Sequence, residues 1–450
     1  MKAGFAVGDI TPELGIYLTG YGIPERLAGG VHSPLRATAM VLAEGETCVA
    51  VVSLDWCFVG DEQAKFIREA ITSATGIPFD RTIVCCTHTH SAPHTSSGRS
   101  LGRTKIDPER RGEAYVRESA AVIAETVMQA KRSLREAVAG FGATKTRTGI
   151  SRRGTDENGN VTTRFIGDPY QMCDDNLTVI RFLDRDTRAD LGIVVHLGCH
   201  NTTMGHSRLI SSDWCGVMRE RIASRYKTSV MFINGSFGDV GPRTNRFVSG
   251  PGVFGFAAGG GDGPTAATEV GMRAATDALR ALEEVRDFRA DLPLRVRTAP
   301  IRMPQALPMT EAEAAEKLRE LEAAGDGGAD PSPTYQIAAR TLEYWKLPPR
   351  PERVFDQTVI AFGPAALVPF PNEVFSIFSL RLRKYGPFAY NLLCGNANGS
   401  GGYLPDRGAI AAGGYEVVWR ARSGAYVLEP EAGDLAVTQT LASLRELAKN

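Results

Sequence analysis

A short run of β-branched and small apolar residues, Thr82-Ile83-Val84-Cys85-Cys86, passes directly into Thr87-His88-Thr89-His90-Ser91-Ala92-Pro93-His94. The run reads as a buried strand. The loop after it is unusual, because it gathers His88, His90 and His94 in a chain that has 7 histidines in all. On an extended backbone, residues i and i+2 share a face. His88 and His90 are therefore expected to project side by side from the strand end. A His-x-His pair of this kind is a common first half of a zinc or iron site. The plainer reading is a pair of hydrogen-bonded histidines at a surface turn, so the rest of the chain has to decide.

The pattern of an apolar strand followed by a polar, glycine-rich or histidine-bearing loop recurs. Leu191–Leu197 runs into Cys199-His200-Asn201-Thr202-Thr203-Met204. Ser229–Ile233 ends in Gly235-Ser236-Phe237-Gly238-Asp239-Val240-Gly241-Pro242, and Asn391–Gly395 leads through a Gly/Asn loop to Tyr403. Further strands are expected over 39–43, 48–54, Phe141–Gly149, Leu177–Leu183, 288–303 and Val354–Phe370, the last a pair turning at Gly363-Pro364. Helices are expected over Asp61–Thr75, Glu113–Val138, Asp213–Tyr226 (capped by Ser211-Ser212-Asp213), Thr265–Val285, Thr310–Ala324, Pro333–Trp345, Asn372–Lys384 and Ala432–Ala448. Residues 96–111 are expected to loop over the site, 151–170 to form a hairpin or lid, and 248–264 to form a flexible loop. The fold class is mixed α/β, with large mixed β-sheets flanked by helices. In such sheets ligands gather at strand ends. The whole chain, 1–450, reads as one catalytic domain with a helical insertion or cap at about 305–350.

Composition removes several function classes. Lysine plus arginine number 51 and aspartate plus glutamate 51, so no global basic field exists for nucleic acid or an anionic membrane. No apolar stretch is long enough to span a bilayer, and the N-terminus lacks the apolar core of a signal peptide. A cytoplasmic location is the expectation. The 8 cysteines sit mostly in apolar runs with no CxxC, which fits reduced, buried thiols. A small-molecule substrate is expected, with no nucleic-acid partner and an oligomer possible.

Three further candidate ligands stand out. His200 closes a buried strand, whereas His196 lies inside that strand and His206 lies beyond it. Glu373 is expected at a helix start, where the helix dipole favours a carboxylate even without a metal. Tyr403 lies in Gly401-Gly402-Tyr403-Leu404-Pro405, where a tyrosine is normally a packing residue. Spacing alone does not assemble these into one site.

The chain resembles the neutral ceramidases through motifs spread along most of its length. Gly8-Asp9-Ile10-Thr11-Pro12 with Gly20-Tyr21-Gly22, then His32-Ser33-Pro34-Leu35-Arg36-Ala37-Thr38-Ala39, is similar to the family's N-terminal signature. Thr87–Ser91 resembles its most distinctive motif. Cys199–Met204 followed by Leu209-Ile210-Ser211-Ser212-Asp213 resembles its second histidine motif. Gly238-Asp239-Val240, Pro371-Asn372-Glu373 ahead of Leu380-Arg381-Leu382-Arg383, and Asn396–Tyr403 complete the set in the family's order. The resemblance implies a ceramidase-like catalytic fold and a Zn2+ held by His88, His200, Glu373 and Tyr403. It sets His90 beside the metal, facing substrate. Two imidazoles, a carboxylate and a weakly held phenol suit a catalytic zinc, which keeps a position open.

The chain also departs from the family. Ceramidases carry Ser-Pro-Asn after the glycine-aspartate-valine turn, and that serine is associated with catalysis. Here Gly241-Pro242-Arg243 stands instead, which removes the serine nucleophile at that position. The family's C-terminal immunoglobulin-like domain and secretion signal are expected to be missing, and His94 replaces a usual glycine. The expected activity is a zinc-dependent hydrolase in which metal-activated water attacks an amide or ester carbonyl of a substrate more polar than ceramide. His90 and Tyr403 are the candidate catalytic residues, and His94, Arg243 and Asp239 the candidate substrate-binding ones. One alternative keeps the metal site but acts on a soluble sugar or other anionic compound, by hydrolysis of another bond or by elimination. The other is a non-catalytic metal-binding protein.

Overall fold

The computed structural model describes residues 1–21, 26–95, 111–156, 158–161, 165–244, 247–250, 253–257, 263–328, 331–422 and 426–449. Eight strands form the main path of the larger sheet: β1 (Lys2–Asp9), β2 (Arg36–Glu44), β3 (Thr47–Leu54), β4 (Thr82–Cys86), β5 (Arg135–Lys145), β6 (Asn176–Asp184), β7 (Asp190–Leu197) and β8 (Val230–Asn234). Their spatial order is β8-β7-β6-β5-β1-β2-β3-β4, with Phe288–Arg289 pairing off the path onto β5. Interior pairs are antiparallel, whereas β3–β4 at one end and β7–β8 at the other are parallel. Only two residue pairs join β1 to β5, and the two ends of the sheet come together: Ser53 on β3 donates to the Phe232 carbonyl on β8 at 2.5 Å.

The smaller sheet contains β9 (Leu294–Ala306), β10 (Glu352–Phe362), β11 (Ala365–Pro369) and β12 (Tyr390–Cys394) in the order β12-β11-β10-β9, with Val427–Leu428 at the outer edge. Its β11–β12 pair is parallel. The two sheets share an apolar core in which Phe5, Met40, Ile83, Phe182 and Met231 meet Ile360, Phe362 and Leu392. Helices α1 (Asp61–Thr75) and α2 (Arg111–Arg132) cover one half of the large sheet, and α3 (Asp213–Tyr226) and α4 (Pro264–Glu284) the other. Helices α5 (Glu311–Ala323) and α6 (Pro333–Trp345) lie between β9 and β10 in the chain. Helix α7 (Ser376–Tyr385) and, beyond the short α8 (Arg407–Ala412) and α9 (Tyr415–Arg422), the C-terminal α10 (Ala432–Lys449) cover the small sheet's outer face. The mixed α/β class with large mixed sheets is what the sequence implied. Parallel pairs need crossovers, so β3, β7 and β11 each end where a long, helix-bearing connection begins.

Several local expectations change. The helix expected to Val138 stops at Arg132, and Glu136-Ala137-Val138-Ala139-Gly140 joins β5, where pairing with β6 overrides helix propensity. The glycine-rich 248–264 segment contains a hairpin, Phe247–Gly250 against Val253–Ala257, that pairs with Ile166–Gly167. Ser212 occupies the position before α3 without a side-chain cap; Asp213 accepts from the Trp214 amide instead. Helix α7 begins at Ser376 rather than Asn372, and Glu373–Val374 is a strand paired in parallel with Tyr403–Leu404. The loop expected at 96–111 lies outside the described residues except for Arg111, which opens α2. All eight cysteines are free thiols. Among the described residues, no helix is long and apolar enough to cross a membrane.

Candidate metal centre

The histidine side of the centre is assembled by strand ends. The chain leaves β4 and turns sharply at His88, whose φ is +68°. His88 and His90 therefore do not share the extended backbone expected of them, yet their Nε2 atoms lie 3.1 Å apart. Asn234, the last residue of β8, clamps the neighbouring ends: its Nδ2 donates to the carbonyls of Thr87 (2.9 Å) and Cys199 (3.0 Å), and its Oδ1 accepts from the Cys199 amide. Thr89 and Asn201 form a parallel bridge, and the His90 amide donates to the Asn201 carbonyl at 3.0 Å. The buried Arg26 guanidinium ties the outside of this loop, donating to the carbonyls of Thr19, His90 and Ser207. Gly20, with φ of +106°, lies so close to the His90 ring that a Cβ there would run into it.

Both inner imidazoles have their protons placed by carbonyls, which can only accept. His88 Nδ1 lies 2.7 Å from the Cys57 carbonyl, and His200 Nδ1 lies 2.8 Å from that of Phe237. Each Nδ1 is therefore the donor, and each Nε2 presents a bare lone pair. Those lone pairs point at one carboxylate oxygen. Glu373 Oε2 is 3.5 Å from His88 Nε2 and 3.3 Å from His200 Nε2. His200 Nε2 and Glu373 Oε2 are buried and have no hydrogen-bond partner among the described residues. Three acceptors converging in a buried space are mutually unfavourable unless a cation lies between them. The donor set, two imidazoles and a carboxylate with second nitrogens fixed by carbonyls, suits a divalent metal. Burial pushes the pKa of His88, His90 and His200 down, which keeps the imidazoles neutral as ligands must be.

A second grouping, Cys57 with His88 and His90, also lies within ligand range. It is the poorer site. The Cys57 sulfur faces the protonated His88 Nδ1 at 3.7 Å, and burial followed by the Glu373 charge pushes its thiol up, away from the thiolate a metal needs.

The opposite side of the centre comes from the small sheet. Glu373 follows β11 and Tyr403 follows β12, and the two are direct partners in their short parallel pairing. The Gly238 amide donates to the Val374 carbonyl at 2.9 Å, and a Cβ at Gly238 would strike the Glu373 carbonyl, so the 235–240 turn packs directly on this strand. The Tyr403 hydroxyl accepts from Arg152 Nη2 at 2.9 Å. Arg152 is 4% exposed, and its charge bears on His88, His90, His200 and Glu373. Its Nε donates to Glu416 at 2.8 Å, and Arg153 donates to the other Glu416 oxygen at 2.7 Å. Phe165, Tyr403, Tyr415 and Trp419 form linked ring contacts beside this network.

The structure thus brings together His88, His90, His200 and Glu373, with Tyr403 in register beside Glu373. The other three expected site residues are Asp239, His94 and Arg243. Asp239 turns its carboxylate to the Ser376 amide and hydroxyl, both at 2.7 Å, and so caps α7. His94 is nearly buried, with its ring edge-on to Phe58. Arg243 lines a separate cavity of about 570 Å3 with Lys145, Arg147, Arg273 and Arg280. It sits at the far end of the ribbon that pairs Val240–Pro242 with Gly149–Ser151. Sequence reading missed Arg152, Arg153 and Glu416; the adjacent pair of arginines after a strand was their one signal.

These features define a ceramidase-like hydrolase fold with a candidate metal centre. Two solved structures share this fold across 100% of this chain: the neutral ceramidase from Pseudomonas aeruginosa (TM-score 0.72, 18% identity, 74% of that chain) and a ceramidase complexed with C2 (TM-score 0.73, 17% identity, 75% of that chain). The family described as neutral/alkaline non-lysosomal ceramidase, N-terminal, matches residues 1–250, and the chain belongs to that family. A curated relative, neutral ceramidase A from Dictyostelium discoideum, is 26% identical over 229 residues, which is 47% of this chain and 30% of that protein's length.

Proposed function

We propose that the protein is a zinc-dependent hydrolase that cleaves an amide or ester, with a substrate more polar than ceramide. One observation carries this reading: two bare imidazole nitrogens and the Glu373 oxygen, with no hydrogen-bond partner for His200 Nε2 or Glu373 Oε2, converge from three separate strand ends. His88, His200 and Glu373 would hold the ion, with Tyr403 as the fourth, weaker ligand. When bound, zinc supplies a Lewis acid that polarises a carbonyl and activates water.

The chain's own residues then do the following. His90 is neutral and half-buried, with its Nε2 3.1 Å from that of His88, so it is the group placed to take a proton from the attacking water. Arg152 donates to the Tyr403 oxygen, which leaves the phenolic O–H free to be aimed at a developing oxyanion. The Arg152 charge adds to the same stabilisation. Gly241 lies in the ribbon opposite Ile150 and offers no hydroxyl, so the attack cannot come from a serine there. The helical pair α5–α6 is proposed as a cap on a single catalytic unit.

Metal analysis of the purified protein tests the centre. Stoichiometric zinc in the wild type and its loss, with activity, in His88→Ala and His200→Ala are expected. Zinc retained by both variants would overturn the assignment. A second reading keeps the centre and changes the bond cleaved, acting on a soluble anionic compound; the missing serine motivates it. Product analysis on N-acyl amides against anionic sugars separates the two.

A further inference from the structure

We propose that Glu416 is a positioning residue for the metal centre: acting through Arg152, it fixes the Tyr403 hydroxyl beside Glu373. This rests on the zinc reading above. Glu416 is 2% exposed and both its oxygens are used, one by Arg152 and one by Arg153. Two guanidiniums and one carboxylate buried together are a poor device for stability alone, because desolvation offsets their attraction. What such a group supplies well is direction. The Arg152 guanidinium is planar, so the angle between its Nε and Nη2 bonds is fixed. With Nε anchored on Glu416 at 2.8 Å, Nη2 has one direction left, and in that direction it meets the Tyr403 oxygen at 2.9 Å.

The two arms of Glu416 lead to different places. Arg153 spends its other nitrogen on the carbonyls of Ala409 (3.2 Å) and Gly413 (2.7 Å), at the end of α8. That arm holds the α8–α9 segment. The Arg152 arm reaches the centre. A merely structural Glu416 would act equally through both.

The experiment compares Glu416→Gln, Arg153→Lys and Tyr403→Phe with the wild type by three measurements. These are apo-protein melting temperature, Zn2+ affinity by competition, and the visible charge-transfer band that Tyr403 gives when Cu2+, as a probe metal, displaces its phenolic proton and binds it as phenolate. Glu416→Gln is expected to weaken Zn2+ binding by about 10- to 100-fold, the usual effect of losing an outer-shell partner, and to weaken the Cu2+ band. Arg153→Lys is expected to lower the melting temperature while leaving Zn2+ affinity within about twofold and the band intact. Should Glu416→Gln fail to fold, Glu416→Asp withdraws the carboxylate by one methylene and is read the same way. Wild-type affinity and band in the Glu416 variant, equal losses in the Arg153 variant, or a band that survives in Tyr403→Phe each overturn the inference. Wild-type protein that binds no Zn2+ sinks the zinc reading itself, a distinct outcome.

Discussion

The two sides of the centre are built on different principles. On the histidine side, His88 and His200 hang from the ends of β4 and β7 and are oriented by backbone carbonyls and by Asn234. On the other side, Tyr403 is oriented by a buried chain of charges in which Glu416 holds Arg152, a residue far away in sequence. Main-chain orientation survives most side-chain changes in its surroundings. Orientation by charge is lost when one partner is removed, because the other is left buried and unpaired. The first side is thus rigid by construction and the second is adjustable.

The largest effect should come from cutting the rigid side itself. His88→Ala and His200→Ala should each abolish stoichiometric zinc, read by elemental analysis, and reduce activity to background. Retention of half the metal in either would mean that the charge-held side can support the ion alone, and the contrast would fail. Next, Gly20→Ala should push the His90 ring from its place with little change in metal content. A loss of activity on the order of 10²-fold is expected, since an ångström of misplacement has that cost. Asn234→Ala should cost about 3 kcal/mol of stability in a denaturant titration, because it leaves the buried Cys199 amide and carbonyl unpaired and removes one of the two donors to the Thr87 carbonyl. If its metal affinity is unchanged, the backbone carbonyls alone hold the two histidines in place.

How much could be read from the sequence follows the same division. The strand-then-histidine junctions at His88 and His200 are local patterns, and strand-end loops are where α/β proteins place ligands. Glu373 and Tyr403 became linked only through the family resemblance, because their pairing depends on β11 and β12 lying parallel. Glu373 lies not at the helix start expected of it but in a short strand before it, and the carboxylate at the start of α7 is that of Asp239. The Arg152–Arg153–Glu416 network joins positions over 260 residues apart, and no periodicity or spacing encodes such a contact. The 135–140 stretch failed for another reason, since an alanine-rich run suits either helix or strand until its neighbour is known.

Smaller effects sharpen the picture. Asp239→Asn should cost about 1–2 kcal/mol, as loss of a helix cap does. It should also change the pH profile of the apo-protein. The buried histidines have lowered pKa values, so the unfolded chain takes up protons below about pH 6.5 that the folded chain refuses, and stability falls on acidification. Asp239 works in the other direction. Burial pushes its carboxyl up to about 6, so its stabilising contribution is full below the ordinary aspartate value and is lost as pH rises through about 6. The Asp239→Asn variant should therefore lose stability more steeply than wild type between pH 6 and 4 in thermal melts. Parallel curves would remove this opposition.

The carbonyls that hold Nδ1 of His88 and His200 have a consequence for how metal arrives. With tautomers already chosen and both rings uncharged, neither imidazole has a hydrogen ion to surrender when zinc enters. Calorimetry repeated in buffers of different ionisation enthalpy should assign no released protons to these two rings. Any that are counted come from the phenol or from water, so the titration directly reports the state of the adjustable half.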